Sequence, residues 1–455
     1  MSVVIFGNGP MPDESSRAVM APGSRTWQMV RTVAQGLAEA GSELEGILVI
    51  NLDGAAAGEG DFHARRQLTV ATTGKSVAVE VWHLGYEDFV NLGAGDPANA
   101  ALPADLFAVV ATGSVQPYST AARFAQRHHL PLWVDIFGDP LSETQSQLEL
   151  MHQSEDPTLL DNKVVHVWKL LLDGLLGGDR FSALSMRQRH AIQGQLGCAG
   201  RLNQFTADQS VVDYLPYAVF PDDSKLAPRE VSPSGHYTVM WCGSFNTWMD
   251  VPTLTKGLTD ALAAEPNLRL LVVGGRIAGY NEISYNQFLS GIRQAGVEGS
   301  VRMTDWQPLA KMHELYTQAD LGLSIDRFTY EAELGSRTRL VNFLAAGVPV
   351  ASTVVTELSV QLERHGYLVP FELGNAASLT DLLLSACNSR ELADRRGQKT
   401  RDFLLSSFNA EHWGKELRSW IAQPAFAADK SSRSTPEATN QLVSAWTQVR
   451  EPLGL

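Results

Sequence analysis

Short apolar runs alternate with amphipathic segments along most of the chain. Val3–Phe6 reads as a strand. A turn-rich segment follows through Gly7, Gly9, Pro10, Pro12 and Pro22-Gly23. Ser24 has the character of a helix N-cap, ahead of an amphipathic run with Val30, Val33 and Leu37 that ends near Gly41. Further strands are predicted at Gly46–Ile50, Val77–Trp82, Phe107–Ala111, Leu132–Ile136 and Phe181–Leu184, with helical patterns between several of them. Strand, helix, strand in repetition predicts parallel strands joined by right-handed crossovers. The pattern breaks between Tyr217 and His236, where PDDSKLAPREVSPSGH is rich in Pro, Ser and charge. It restarts with strands at Thr238–Trp241, Leu270–Val273, Val301–Thr304, Leu321–Ser324 and Val348–Ser352. Helices at Val251–Ala263, Ile283–Ala295 and Arg339–Ala346 are expected among them.

A length of 455 residues exceeds one ordinary core and suits two. The reading is an α/β chain: a first Rossmann-like domain over 1–217, a linker over 218–236, and a second Rossmann-like domain over 237–405. The tail, 406–455, continues a helical pattern that runs from Ser389 to Ala422. It then passes through the polar stretch AADKSSRSTPEATN, expected to be a flexible linker. A last short helix over Gln441–Val449 places Leu442, Val443, Trp446 and Val449 on one side. A free helix of that length is unstable, so it is expected to dock.

The formal charge is −14 with no basic stripe, which removes nucleic acid as a partner and leaves membrane contact at most peripheral. The three cysteines, Cys198, Cys242 and Cys387, lack metal-ligand spacing and suit a reducing compartment. The chain opens on a strand rather than a basic and apolar leader, and no apolar run is long enough to span a bilayer. The expected location is therefore the cytoplasm.

Ligands of doubly wound sheets sit beyond the carboxyl ends of the strands, so two facing domains offer one site to each of two substrates. The stretch richest in chemistry is EAELGSRTRLVNFLAAGVPV, Glu331–Val350. Here a loop with Gly335-Ser336 opens a helix near Arg337. Unpaired amides and the helix dipole favour an anion there, and Arg337 and Arg339 add charge suited to phosphate oxygens. Pattern alone equally allows solvated arginines and a turn capped by Glu331.

This stretch resembles the donor-site motif of family-four retaining glycosyltransferases, closest to a bacterial subgroup with Arg-Thr-Arg at the helix start. Arg337-Thr338-Arg339 and Leu344-Ala345-Ala346-Gly347-Val348-Pro349-Val350 carry the likeness. The resemblance implies the GT-B fold: two Rossmann-like domains facing across a cleft, with C-terminal helices returning to the N-terminal domain. It also implies that the loop at Gly335, Ser336 and Thr338 holds a donor diphosphate. A first acidic residue touches the sugar, and a second holds the ribose. The second position is Asn342 here, and Leu334 stands in the common register of the first. Glu331, or failing it Glu333, then takes the sugar-contacting role.

WCGSFNTWMDVPTL, Trp241–Leu254, resembles the first strand-loop-helix of the same donor domain and adds Gly243, Ser244, Phe245 and Asn246 to the donor site. No Lys or Arg lies between Gly243 and Asp250, which leaves diphosphate neutralisation to Arg337, Arg339 and loop amides. Trp241 and Trp248 read as packing. Gly275, in Gly274-Gly275-Arg276, resembles the next loop. Trp306 falls where the family binds the base, and its ring suits either stacking or the domain edge. In the N-terminal half, Ala21–Glu39 resembles the family's glycine loop and first helix, which places Gly23, Ser24 and Arg25 on the acceptor side. Trp133–Glu143 and Asp179–Arg201 are similar to the subgroup as well. Thr112 and Asp139, near strand ends, are candidates to orient the acceptor, although Asp139 in Gly-Asp-Pro also reads as structural.

Gly7-Asn8-Gly9 lacks the third glycine of a dinucleotide fingerprint, and His128-His129 face different ways on a helix. No Asp-x-Asp triplet occurs, so metal-free chemistry is expected, with no cofactor beyond the nucleotide sugar. The expected reaction moves a sugar from a nucleotide-diphosphate donor to the hydroxyl of a glycan, lipid-linked or small-molecule acceptor. Its rivals are a nucleotide-sugar epimerase on the same fold and a non-catalytic sugar-nucleotide-binding protein.

Overall fold

The computed structural model describes residues 1–11, 21–41, 46–52, 64–94, 102–103, 105–151, 156–220, 235–277, 282–388 and 390–430, together with 441, 444, 445 and 448. The described residues fall into two compact units. One comprises Met1–Met11, Ala21–Leu215 and the chain from Trp413 onward, and the other Pro216–His412.

The first unit is built on eight strands: β1 (Ser2–Asn8), β2 (Gly46–Leu52), β3 (Ala64–Ala71), β4 (Ser76–Leu84), β5 (Leu106–Ala111), β6 (Leu132–Ile136), β7 (Arg180–Ala183) and β8 (Val212–Tyr214). Their order is β3-β4-β2-β1-β5-β6-β7-β8. All neighbours are parallel except β3 with β4. Repetition of strand and helix predicted only parallel strands. β3 (ARRQLTVA) departs because it is an edge strand, and its single apolar face hides its signal among charges. Central strands read clearly because both faces are buried. Val4 and Phe6 enter one core, and Val3 and Ile5 the other.

The helices of this unit are α1 (Ala21–Ala40), α2 (Tyr86–Ala94), α3 (Val115–His128), α4 (Pro140–Met151), α5 (Pro157–Gly177) and α6 (Met186–Cys198). α1 begins before Ser24, which lies inside the helix rather than at its N-cap. Gly23 is required by contact: a Cβ there would lie 1.7 Å from the Pro10 carbonyl oxygen. The chain also returns to this unit near its end. Leu417 and Ile421 pack with Met29, Val33 and Leu37 of α1. Each such fully buried side chain contributes about 1.5–3 kcal/mol. The polar stretch after Ala427 is not free at its start. Asp429 accepts a two-pronged contact from buried Arg201, and Lys430 pairs with Asp179. Residues 431–440 and most of the expected helix at 441–449 lie outside the described residues.

The second unit carries β9 (Tyr237–Cys242), β10 (Leu268–Val273), β11 (Val301–Thr304), β12 (Leu321–Ser324), β13 (Val350–Ser352) and β14 (Val369–Pro370). The order is β11-β10-β9-β12-β13-β14, parallel throughout. β13 starts at Val350, two residues later than expected. β14, two residues long, left no pattern to read. The helices are α7 (Val251–Ala264), α8 (Glu282–Gln294), α9 (Leu309–Thr317), α10 (Tyr330–Leu334), α11 (Thr338–Ala345), α12 (Glu357–Arg364), α13 (Ala376–Asn388), α14 (Arg390–Ser407) and α15 (Ala410–Trp413), the last ending at the border between the units. A final helix, α16 (Lys415–Ala422), is the one that packs on α1. α7, α8 and α13 cover one face of the six-stranded sheet, and α9, α11, α12 and α14 the other. Residues 221–234, the bulk of the expected linker, lie outside the described residues. No described helix is long and apolar enough to cross a membrane.

Candidate functional site

In the second sheet the chain leaves β9 towards β10 on one side and reaches β12 on the other. The crevice beyond the carboxyl ends of β9 and β12 is therefore the switch point at which such sheets bind ligands. Gly243 follows β9 with φ 106°, and Gly274 and Gly275 follow β10 with φ 92° and 133°. These left-handed conformations suit glycine alone. A Cβ on Gly274 would lie 3.0 Å from the Gly243 carbonyl oxygen, so the two loops touch backbone to backbone.

Arg337, at the N-cap of α11, is buried and fully committed. Its Nε donates to Asp326 Oδ1 at 2.8 Å. Its terminal nitrogens fork onto Glu331 at 2.9 and 2.7 Å. Burial works against its charge, but Asp326 and Glu331 outweigh burial and hold the guanidinium pKa above its usual value. The Arg337 charge is thus neutralised twice within the protein, and the Glu331 carboxylate that was expected to meet a sugar is clasped by Arg337. Gly335 makes the clasp possible, because a Cβ there would lie 2.6 Å from the Glu331 carbonyl oxygen and 3.0 Å from the Arg337 guanidinium.

Arg339 is the opposite case. It is 9% exposed and lies over the Trp241 ring at 3.8 Å. It donates to two carbonyl oxygens, of Cys242 through Nε and of Ser244 at 3.0 Å, and touches the Met249 sulfur. No carboxylate pairs with it among the described residues. Burial lowers its pKa to about 10, so it stays charged at neutral pH. A buried cation held by carbonyl dipoles and a ring face is costly unless an anion joins it. A Cβ on Gly243 would lie 3.2 Å from this guanidinium, so glycine lets the loop backbone close on it.

The remaining expected donor residues divide. Ser244 and Asn246 hydrogen-bond to each other within the loop. Phe245 is fully buried, stacked on Trp241 at 5.0 Å and packed on Phe288 at 4.6 Å, which makes it core rather than ligand contact. Trp306 stands beyond β11 and donates from its indole to the Arg276 carbonyl at 3.0 Å, tying the β10 and β11 loops together. Ser336 and Thr338 are half-buried at the start of α11. Asn342, one turn further, is half-buried and faces the Tyr217 hydroxyl at 3.5 Å. Asp326 was not foreseen. Its sequence signal is an acid immediately beyond an apolar strand, aimed at the arginine eleven residues later.

The acceptor-side candidates are engaged in the first unit's own framework. Arg25, fully buried, forks onto Asp135 at 2.8 and 2.6 Å and donates to the Gln28 side chain and the Leu215 carbonyl. Thr112 donates to the same Asp135 at 2.7 Å, as does Ser182 at 2.6 Å. Asp139 accepts from the Ser142 amide at the start of α4 and from Gln195 at 2.7 Å. These side chains order the carboxyl end of β6. Gly23 supports the close approach of Pro10, and Ser24 is half-buried in α1.

No protein-family model and no curated protein sequence matches the chain. Solved structures do match it. Sucrose-phosphate synthase from Thermosynechococcus elongatus aligns at a TM-score of 0.66 and 13% identity, over 93% of this chain and 98% of its own. HepE from Anabaena, in complex with UDP-glucose, aligns at 0.56 and 13% over 93% and 99%. An α,α-trehalose-phosphate synthase (UDP-forming) from Burkholderia xenovorans, in complex with glucose-6-phosphate, aligns at 0.60 and 8% over 92% and 99%. The chain has the GT-B fold. Within the GT-B frame the sheet of β9–β14 supplies the candidate crevice described above, with Gly243, Arg339 and the Asp326–Arg337–Glu331 clasp at its centre.

Proposed function

We propose that the chain is a glycosyltransferase that moves a sugar from a nucleotide-diphosphate donor to an acceptor hydroxyl, in the retaining, metal-independent manner of family four. The carrying observation is Arg339: a buried cation beside a glycine loop at the switch point, with no carboxylate partner among the described residues. A diphosphate supplies the missing negative charge. Cleavage of the sugar–diphosphate bond builds further charge on the leaving phosphate, so a fixed guanidinium stabilises the transition state more than the ground state. Arg337 acts differently. Paired with Asp326 and Glu331, it positions Ser336 at the start of α11, whose first amides face the anion, while the Gly335 amide is spent on the Glu331 carbonyl. The leaving phosphate itself helps deprotonate the acceptor, so no protein base is assigned. Complexes with UDP-glucose and glucose-6-phosphate among the structural neighbours support a nucleotide-sugar donor, and a glycan, lipid-linked or small-molecule hydroxyl is the acceptor. The proposed setting is the cytoplasm.

A thermal-shift panel of nucleotide sugars tests the reading. One or more donors should raise the melting temperature, whereas silence across the panel argues against any sugar-nucleotide function. Release of a new sugar isomer from the bound donor would favour an epimerase instead. Transfer should survive EDTA, given that no Asp-x-Asp occurs. Activity that vanishes with chelator and returns with magnesium or manganese would overturn the metal-free mechanism. Asn342 stands where the resemblance places the ribose contact. Asn342→Leu should weaken nucleotide binding by about 1 kcal/mol, the worth of one hydrogen bond exchanged with water. Unchanged affinity in calorimetry removes this residue from the site.

A further inference from the structure

We propose that Phe328 and Tyr330 form an aromatic platform for a pyranose ring of the acceptor, which narrows the acceptor to a saccharide and rests on the transfer reaction proposed above. The two rings are the most exposed large hydrophobic side chains among the described residues, at 69% and 63%. They lie in the segment that leaves β12 and enters α10, next to Asp326 and Glu331 of the clasp.

Exposed rings on a loose loop would carry little meaning, but this backbone is pinned on both sides. The Asp326 amide donates to Thr353 Oγ1 at 2.8 Å. The Arg327 amide donates to the Trp248 carbonyl at 3.0 Å, and Arg327 Nε to the Thr247 carbonyl at 3.0 Å. Thr329 caps α10 by accepting from the Ala332 amide at 3.1 Å. The rings are therefore presented to solvent by a fixed frame. An apolar residue just before an N-cap ordinarily packs on an apolar residue at the fourth helical position. That position is Glu333 here, so Phe328 is left without a staple.

Tyr330 and Glu333 stand three residues apart on one side of the turn. A pyranose ring presents a face of C–H bonds that packs on an aromatic ring and a rim of hydroxyls that a carboxylate accepts. Ring and carboxylate together match that chemistry. An alkyl chain would gain nothing from the Glu333 carboxylate beside Tyr330. The cation assigned to the donor, Arg339, is buried, while Phe328 and Tyr330 face outward. The outer position fits the second substrate.

The test compares the parent chain with Phe328→Ala, Tyr330→Ala and the double variant. Because both side chains are exposed, melting temperatures should stay within a few degrees. Retention on an immobilised array of mono- and oligosaccharides, with and without UDP, is the first readout. UDP affinity by calorimetry is the second. The double variant should lose array retention by about tenfold, the combined worth of two aromatic contacts, with UDP affinity within twofold of the parent. A parent that retains no saccharide, or variants that retain as much as the parent, overturns the platform. So does a loss of UDP affinity, which would assign the rings to the base. Failure of the transfer reading itself shows separately, as a parent that binds no nucleoside diphosphate.

Discussion

Arg339→Met should reduce kcat/KM for the nucleotide-sugar donor by on the order of 100- to 1,000-fold, about 3–4 kcal/mol of transition-state stabilisation, while leaving the fold in place. The substitution keeps a long apolar stem over Trp241 and beside Met249, removing only the charge and its donors. The carbonyls of Cys242 and Ser244 lose a donor, a milder defect than an orphaned N–H because a carbonyl tolerates partial satisfaction. Against that stands the removal of a buried cation with no acidic partner among the described residues, which relieves a desolvation cost. The two effects offset, so the melting temperature should move by no more than about 3 °C on the size scaling of thermal unfolding. If Arg339 were only a buttress, the pattern would invert, with a large loss of stability and normal turnover in the folded fraction.

Arg337→Met should do what Arg339→Met does not. It would strand the Asp326 and Glu331 carboxylates, 2% and 8% exposed at their side chains, without their shared cation. Removing one partner of a buried ion cluster costs about 3–5 kcal/mol. For a unit of this size that corresponds to a melting temperature lower by about 10 °C. Adding Asp326→Asn and Glu331→Gln to Arg337→Met should restore part of the loss at neutral pH. Thermal denaturation at neutral pH measures both. An Arg337→Met protein as stable as the parent, with weakened diphosphate binding, would return Arg337 to the phosphate site.

The contrast between these two arginines marks the limit of what the sequence discloses. Both were legible as cations at the start of a helix after a glycine loop. Which of them is already neutralised depends on Asp326, delivered from the end of β12, and on the Gly243 loop, almost a hundred residues upstream. Spacing along the chain carries no trace of that balance. Arg25 teaches the same point in the first unit, where its charge is met by Asp135 at 110 residues' remove. Phe245 stands in a loop that the resemblance assigns to the donor, and its ring turns inward onto Trp241 and Phe288, a direction that loop position does not reveal. The central strands were plain, since burial on both faces makes a continuous apolar run. β3, β8 and β14 were not, being edge strands that are short or apolar on one face only. The docked start of the tail was hidden for a different reason: Asp429 and Lys430 look like linker residues until Arg201 and Asp179 are beside them.

The central claim is that a donor diphosphate completes the charge balance of Arg339. Calorimetric titration of parent and Arg339→Met with UDP, and with uridine as the phosphate-free control, tests it most directly. The parent should bind UDP at one site and uridine far more weakly. Arg339→Met should lose UDP affinity by on the order of 100-fold and leave the weak uridine binding unchanged. Equal UDP affinity in the two proteins, or none in the parent, would contradict the assignment.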